Sequence, residues 1–252
     1  MPPYRRTPVE PESITPQMCS MDLRLQILKE LPFFAGLSMD DIGSINARFR
    51  ERGYEAGETI FYAGDAVKRL YVVASGKVKL LRHTLSGQTV LLDILAPGEF
   101  FGNLSALGGD VYPDTAQAQT LTCTLSIEAE GFRQIMTMYP PIALAVVDIM
   151  AERLRAAHEM MRQLSAHSAE QRIAYTLLKL GDKLGEPADV GLLIQTPLSR
   201  EDLAAMAGTT IETASRTLSQ FKKAGLIRSG RQWVALANVD GLRAIAEGNT
   251  PR

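Results

Sequence analysis

The chain has 252 residues, 46% of them hydrophobic and 22% charged, ordinary values for a globular protein that buries one large core or two modest ones and incompatible with a collagen-like or disordered chain. The formal net charge of −1 hides an asymmetry: residues 195–252 hold eight Lys/Arg against five Asp/Glu, so the rest of the chain is net acidic. A local basic patch on an acidic chain points to a polyanion partner for that patch.

In chain order, the first twenty residues carry five prolines and no apolar stretch, so residues 1–20 read as a flexible N-terminal arm without the hydrophobic core of a secretory signal. The longest purely apolar run, Ile142 to Val147, has six residues, far short of the roughly 20 needed to cross a bilayer. No membrane span and a cytoplasmic location are therefore expected. Two cysteines, Cys19 and Cys123, make neither a disulfide framework nor a C-x-x-C zinc pair, so redox chemistry is not expected to hold the fold. Cys123 reads as a small core residue. Cys19 reads as an ordinary thiol, since no basic neighbour lies close enough in sequence to lower its pKa.

Helical spacing appears at Leu23, Leu25, Ile27, Leu28 and Leu31, and again from Met39 to Arg50, which opens with Asp40 and Asp41 and ends with Arg48 and Arg50 as the helix dipole favours. The texture then changes. Glycines recur at Gly57, Gly64, Gly76, Gly87 and Gly98, and between them lie short alternating runs: Val78 and Leu80 against Lys77 and Lys79; Val90, Leu92 and Ile94; and Leu121, Cys123, Leu125 and Ile127 against Thr122, Thr124 and Ser126. Turn residues at this interval around period-two strands predict an antiparallel sandwich or roll over residues 21–138.

Pro140 and Pro141 are placed to open a helix running to about Ser165. On it Val147, Met150, Leu154, Ala157, Met161 and Leu164 recur at alternating spacings of three and four, the narrow seam of a two-stranded coiled coil. Residues 139–166 are expected to dimerise the chain along that seam, which carries no charge to oppose a second copy. The competing use of the stripe is packing against the β domain. Ser168 to Lys183 forms a further helix with Ile173, Ala174, Leu177 and Leu178 inward, after which Gly185 and Pro187 break the chain.

Residues 167–252 end in the most informative stretch, Pro197 to Leu236. Ser199 to Asp202 is a capping box opening a short helix with Leu203, Ala204 and Met206 inward, which ends at Ala207-Gly208. Thr209 to Glu212 reads as a second capping box only a few residues later. Two short helices joined by such a turn make a helix-turn-helix. On the second helix Ile211, Ala214, Leu218 and Phe221 face inward, while Glu212, Ser215, Arg216 and Ser219 share another face. A hairpin with its turn at Gly230 and a strand holding Trp233, Val234 and Leu236 makes a wing carrying Arg228 and Arg231. The second helix of such a motif enters the major groove by its N-terminal turns. Arg216 donates to guanine O6 and N7, Glu212 accepts from cytosine N4, and Ser215 reaches base edges. Thr210, Thr213, Ser219, Lys222, Lys223 and Arg231 contact phosphates and fix the register. A competing use of Glu212 is as a helix cap.

Glu212-Thr213-Ala214-Ser215-Arg216, following Ala207-Gly208-Thr209, resembles the E-x-x-S-R recognition helix of the fumarate-nitrate reduction regulator branch of the cyclic-AMP receptor protein superfamily. Gly57-Glu58-Thr59-Ile60-Phe61 with Gly64-Asp65, the run Tyr71 to Val78, and Gly98-Glu99-Phe100-Phe101-Gly102 are similar to that family's β-roll signatures, and Ala169 to Ala174 to its hinge segment. The resemblance implies an α+β chain: an antiparallel, cyclic-nucleotide-binding-like sensory β-roll, a long dimerisation helix and a C-terminal winged helix-turn-helix. It further implies a homodimeric, non-enzymatic transcription factor on a palindromic operator with TTGAT-like half-sites, with RNA polymerase as a further partner.

The resemblance places an effector pocket at Gly98, Glu99, Asn103, Asp114 and Thr115. Cyclic-nucleotide members of the family hold phosphate with an arginine followed by Ser or Thr and ribose with a glutamate, whereas the corresponding positions here are Asp114-Thr115 and Asn103. From His83 to Gly131 there are six acids and no Lys or Arg, so a phosphate there lacks a guanidinium partner and cyclic AMP is disfavoured. An iron-sulfur cluster wants four thiolates, and only two cysteines are present. Haem stays open through His83, His158 or His167. No cofactor and no metal site is expected. A metal-dependent oxygenase is disfavoured because the three histidines are scattered, and no P-loop, dinucleotide or G-x-S-x-G motif occurs.

Overall fold

The computed structural model describes residues 19–83, 89–102, 111–230 and 232–249. Residues 1–18 of the expected arm, Gly87 of the glycine series, Asn103 of the expected pocket and Arg231 of the wing lie outside them. The described chain falls into two compact units, 19–156 and 157–249.

The first unit opens with α1 (Met21–Glu30), capped by Ser20, whose side chain accepts from the Leu23 amide. A 3-10 turn (Pro32–Phe34) leads to α2 (Met39–Asn46), closed at its start by a capping box between Ser38 and Asp41. This helix stops four residues short of the expected Arg50. Phe49 is drawn into the core, and the Arg24 guanidinium takes up the carbonyls of Asn46 and Phe49, which satisfies the helix end. Arg50 instead begins β1 (Arg50–Tyr54).

The roll then comprises β2 (Thr59–Phe61), β3 (Arg69–Ser75), β4 (Val78–His83), β5 (Thr89–Leu95), β6 (Phe100–Gly102), β7 (Thr115–Ala118) and β8 (Thr122–Glu128). They make two antiparallel sheets, ordered β1-β8-β3-β6 and β2-β7-β4-β5. Gly57, Gly64, Gly76 and Gly98 of the glycine series take a positive φ at the turns. At Gly76, between β3 and β4, φ is +80° and a Cβ would collide with the Leu121 carbonyl and Thr122, so only glycine fits.

Two strand faces differ from expectation. Thr122, Thr124 and Ser126 are buried rather than turned to solvent, because β8 lies between β1 and β3 and is covered on both faces. The Thr122 hydroxyl bonds the Lys77 backbone and the Ser126 hydroxyl donates to the Arg50 carbonyl while accepting from Arg69. In β5 the expected inward series Val90, Leu92 and Ile94 is broken by a bulge in the pairing between Leu80 and Leu81. The bulge shifts the side-chain phase, so Leu91 and Ile94 are buried and Leu92 is exposed.

Two apolar clusters form the core of this unit. One joins Phe61, Val73, Val78, Phe101 and Tyr112 inside the roll. The other gathers Leu28, Phe33, Phe34, Leu125 and Phe132 and receives Ile142 and Val146 from the first turns of the long helix. Cys19 and Cys123 are both buried and joined as a disulfide, with Cα atoms 6.3 Å apart. Cys123 is thus a core residue but not a free one, and Cys19 is a covalent anchor of α1 rather than an arm thiol. Their separation of 104 residues leaves no local sequence signal for the pairing.

Helix α3 (Ala129–Met138) precedes α4 (Pro140–Ala166). Over its first turns α4 presents Ile142, Ala145, Val146, Ile149 and Met150 to the core, so Met150 of the expected seam is partly buried against the roll. Val147, Leu154, Met161 and Leu164 remain between 48% and 62% exposed, and Ala157 is exposed as well. No single helix among the described residues is long and apolar enough to cross a membrane.

The second unit contains α5 (Ala169–Leu184), β9 (Gly185–Ala188), β10 (Gly191–Ile194), α6 (Arg200–Met206), α7 (Ile211–Lys223), β11 (Ile227–Gly230), β12 (Trp233–Leu236) and α8 (Val239–Ala246). The β9–β10 hairpin stands where Gly185 and Pro187 read as a simple break. It joins the wing in one sheet, ordered β11-β12-β10-β9, and Pro187 is tolerated because β9 is an edge strand.

Candidate DNA-recognition surface

Helix α6 starts at the expected capping box: the Asp202 amide donates to the Ser199 hydroxyl and the Ser199 amide to the Asp202 carboxylate, both at 2.9 Å. It buries Leu203, Ala204 and Met206. The turn that follows is held from outside. Arg172 of α5 donates from Nε to the Ala207 carbonyl (2.8 Å), from Nη2 to Gly208 (3.0 Å) and from Nη1 to His167 (2.8 Å). One guanidinium therefore fixes the turn of the motif and the residue before the cap of α5. Nothing in the local sequence around Arg172 signals this, since all three acceptors are backbone carbonyls.

Helix α7 begins one residue later than the sequence suggests. Its cap is Thr210, whose hydroxyl accepts from the Thr213 amide at 3.2 Å, and the expected Thr209–Glu212 box is not formed. The buried face is Ala214, Thr217, Leu218 and Phe221. Ile211, expected inward, is 47% exposed, because the shifted start leaves it in the open first turn.

At about 100° per residue, Glu212, Ser215, Arg216, Ser219 and Lys223 fall on one stripe opposite that buried face. Glu212, Arg216, Ser219 and Lys223 are exposed, and Ser215 is half-buried. The Glu212 backbone N–H and the Thr210 hydroxyl donate to the Glu212 carboxylate and hold its pKa below the ordinary range, so Glu212 stays an anionic acceptor. Ser219 donates to the Ser215 carbonyl at 2.8 Å. Thr210 and Thr213 sit at the mouth of the helix, hydroxyl to hydroxyl at 3.1 Å.

Lys222 is drawn sideways: its Nζ donates to the Ser229 carbonyl on β11 at 3.2 Å. The hairpin tip is tight. Trp233 folds its indole over Gly230, where a Cβ would overlap the ring, and Gln232 takes a left-handed φ of 64°. Arg228 is exposed on β11.

The expected effector positions lie in the first unit. Asp114 is not a bare carboxylate: Arg82 of β4 grips its Oδ1 with Nε at 2.8 Å and Nη2 at 2.6 Å. Sequence reading missed this partner because Arg82 lies one residue outside the cation-free stretch, on the strand paired with β7. Thr115 is buried and accepts from the Ala63 amide. Gly98 has a φ of +84°, and Glu99 accepts from the Ala96 amide. Beside them Arg153 of α4 lies over the Phe100 ring, 4.0 Å from its centroid, and donates to the Phe100 carbonyl. His83 hydrogen-bonds Thr89 and His167 hydrogen-bonds Arg162. Among the described residues no group of three or more His, Cys, Asp or Glu side chains suits a metal ion.

The chain matches the family described as "Cyclic nucleotide-binding domain" over residues 51–139 and "Crp-like helix-turn-helix domain" over residues 171–245. It is 36% identical over 221 residues to the cyclic AMP receptor protein of Thermus thermophilus, covering 88% of this chain and 99% of that one. It is 29% identical over 213 residues to the transcriptional activator protein FnrA of Stutzerimonas stutzeri, covering 84% and 87%. Among solved structures, FixK2 of Bradyrhizobium japonicum superposes with a TM-score of 0.70 at 26% identity, covering 78% and 96%. With a roll, a long helix and a winged helix-turn-helix in that order, the chain belongs to the Crp-Fnr superfamily of DNA-binding transcriptional regulators.

Proposed function

We propose that the chain works as a homodimer on a palindromic operator with TTGAT-like half-sites, in the manner of the E-x-x-S-R branch. The observation that carries this reading is the stripe on α7, where an anionic acceptor at Glu212 and a bidentate donor at Arg216 stand one turn apart and exposed, on a helix whose opposite face is locked into the core. Arg216 reads guanine and Glu212 the neighbouring cytosine. Ser215 reaches a base edge, and Thr210, Thr213, Ser219, Lys222, Lys223 and Arg231 anchor the phosphates. The uncovered residues Val147, Leu154, Ala157, Met161 and Leu164 on α4 form the seam between two copies, with Met150 at its edge. Two-fold protein symmetry then matches two half-sites. The protein acts in the cytoplasm, where RNA polymerase is its further partner.

Control by a cyclic nucleotide is the second reading, favoured by the match over residues 51–139. The side chains present do not fit the phosphate. Asp114 stands at the position that the resemblance assigns to the phosphate arginine, and both Arg82 donors that face it are committed to its carboxylate. An incoming phosphate competes with that ion pair and meets the Asp114 charge. Selection of bound sequences from a random duplex pool, with and without cyclic AMP, tests both readings. Enrichment of a TTGAT-containing palindrome without nucleotide supports the first, strict dependence on nucleotide supports the second, and no enriched palindrome overturns the operator reading.

A further inference from the structure

We propose that Cys19 and Cys123 form a reversible redox site that exchanges with a dithiol reductant and sets the packing beneath the first turns of α4. This rests on the cytoplasmic regulator proposed above, since a disulfide in a reducing compartment is usually transient or redox-sensing rather than structural.

Three observations support exchange. First, the bridge joins two parts of the fold that also hold each other by apolar packing. Leu28 and Leu31 are fully buried beside Phe34, Leu125 and Phe132, so α1 stays docked when the bridge opens and the reduced protein remains folded. Second, Cys19 directly precedes the cap of α1, next to exposed Ser20 and Met21. A helix end of this kind opens locally at low cost, which brings the Cys19 sulfur within reach of a thiol, whereas Cys123 lies on β8 between Gly53 of β1 and Ser75 of β3. Third, Ser75 is the register partner of Cys123 across β3 and β8, and its hydroxyl is buried without a hydrogen-bond partner. Such an orphan is unfavourable in the bridged state and becomes a donor for a thiolate at Cys123.

The chemistry follows from these positions. A thiolate of the dithiol attacks Cys19 Sγ, forming a mixed disulfide there, and the Cys19–Cys123 bond breaks with its electron pair leaving on Cys123. The Ser75 hydroxyl stabilises that leaving thiolate, which accelerates exchange, and Cys123 then takes up a proton. The second thiol of the reductant, as thiolate, displaces Cys19, which is protonated in turn. The net step transfers two electrons and two protons from the dithiol to the protein, and the reductant leaves as its disulfide. The bridge shares one cluster with Ile142 and Val146 of α4, and with Ile149 and Met150 at its margin. Opening it therefore changes the support of the helix that is proposed to align the two DNA-reading units.

The test uses the full chain. Free thiols are titrated by alkylation and mass spectrometry after equilibration in glutathione buffers of graded ratio, without DNA, and duplex affinity is measured for the fully bridged and fully reduced forms. Two thiols appearing together within the glutathione series support the site. A bridge that stays closed in dithiothreitol buffers poised at the potentials of the glutathione series overturns the proposal, as does a protein that forms no bridge after mild oxidation. Operator affinity is expected to differ on the order of tenfold between the two forms, and a difference under twofold overturns the coupling to α4. Cys19→Ser should show the affinity of the reduced form in every buffer. Ser75→Ala should slow reduction several-fold while leaving the thermal midpoint of the reduced form in place, and an unchanged rate removes Ser75 from the step. If neither form prefers any duplex, the proposed function fails, while the thiol titration still decides whether the pair exchanges.

Discussion

Lys222 on α7 and Ser229 on β11 are joined by a hydrogen bond of 3.2 Å from the lysine ammonium to the backbone carbonyl. The bond makes Lys222 a strut between the reading helix and the wing, while its neighbour Lys223 stands exposed. The two lysines should behave differently on substitution. Lys223→Ala should weaken binding to all duplexes alike and lower the salt slope by about 1. Lys222→Ala should also speed amide exchange in 227–236. A slope unchanged in Lys223→Ala removes that residue from the phosphate contacts.

Arg216→Ala should cost on the order of 1–3 kcal/mol at the preferred operator and relax discrimination at one base position. Gel shifts on specific and scrambled duplexes make the comparison. Equal losses on both contradict base reading by this side chain.

Leu154 is 57% exposed on α4. Leu154→Glu should convert the proposed dimer to a monomer in sedimentation velocity, because the introduced carboxylate would be buried unpaired in the proposed symmetric seam. A dimer that survives places the interface elsewhere.

Arg172 serves three carbonyls at once. Arg172→Met keeps much of the aliphatic stem and removes the donors, so the C-terminal unit should lose on the order of 2 kcal/mol. Faster hydrogen exchange at 203–210 with α8 unaffected would locate the loss at the turn, and a variant as stable as the parent would show that water replaces the guanidinium there.

Glu159 accepts from Arg162 and Gln163, and these bonds hold its pKa down at about 2. A depressed carboxylate contributes stability that is present above its unfolded value of about 4.5 and is lost as the pH falls through the folded value. The pair should therefore persist between pH 4.5 and about 2, read by carbon-detected NMR titration of the Glu159 carboxyl. Arg162→Ala, which removes the largest cause, should return its midpoint toward 4.5.

Much of this architecture was legible because its signals are local. Ser199 and Asp202 sit three residues apart and form the box that their spacing announces. The glycines at 57, 64, 76 and 98 adopt the positive φ that turn positions demand. Pro140 opens α4 where proline is tolerated. Most of the misreadings concern relations that cross the chain. Cys19 and Cys123 meet over 104 residues, and Arg82 reaches Asp114 over 32. The phase of β5 depends on a bulge in its pairing with β4. The start of α7 was misjudged by one residue because Thr209 and Thr210 offer equivalent caps in sequence, and only the backbone decides between them. The polar face of β8 followed the alternation rule, but the rule assumes one open face and this strand has none.

Trp233 is the sole tryptophan of the chain, and it lies over Gly230 at the tip of the wing. The protein therefore carries a built-in fluorophore at one defined point. Ultraviolet emission follows the posture of that hairpin in unlabelled material, free of background from any other indole, through titration with duplex or reductant.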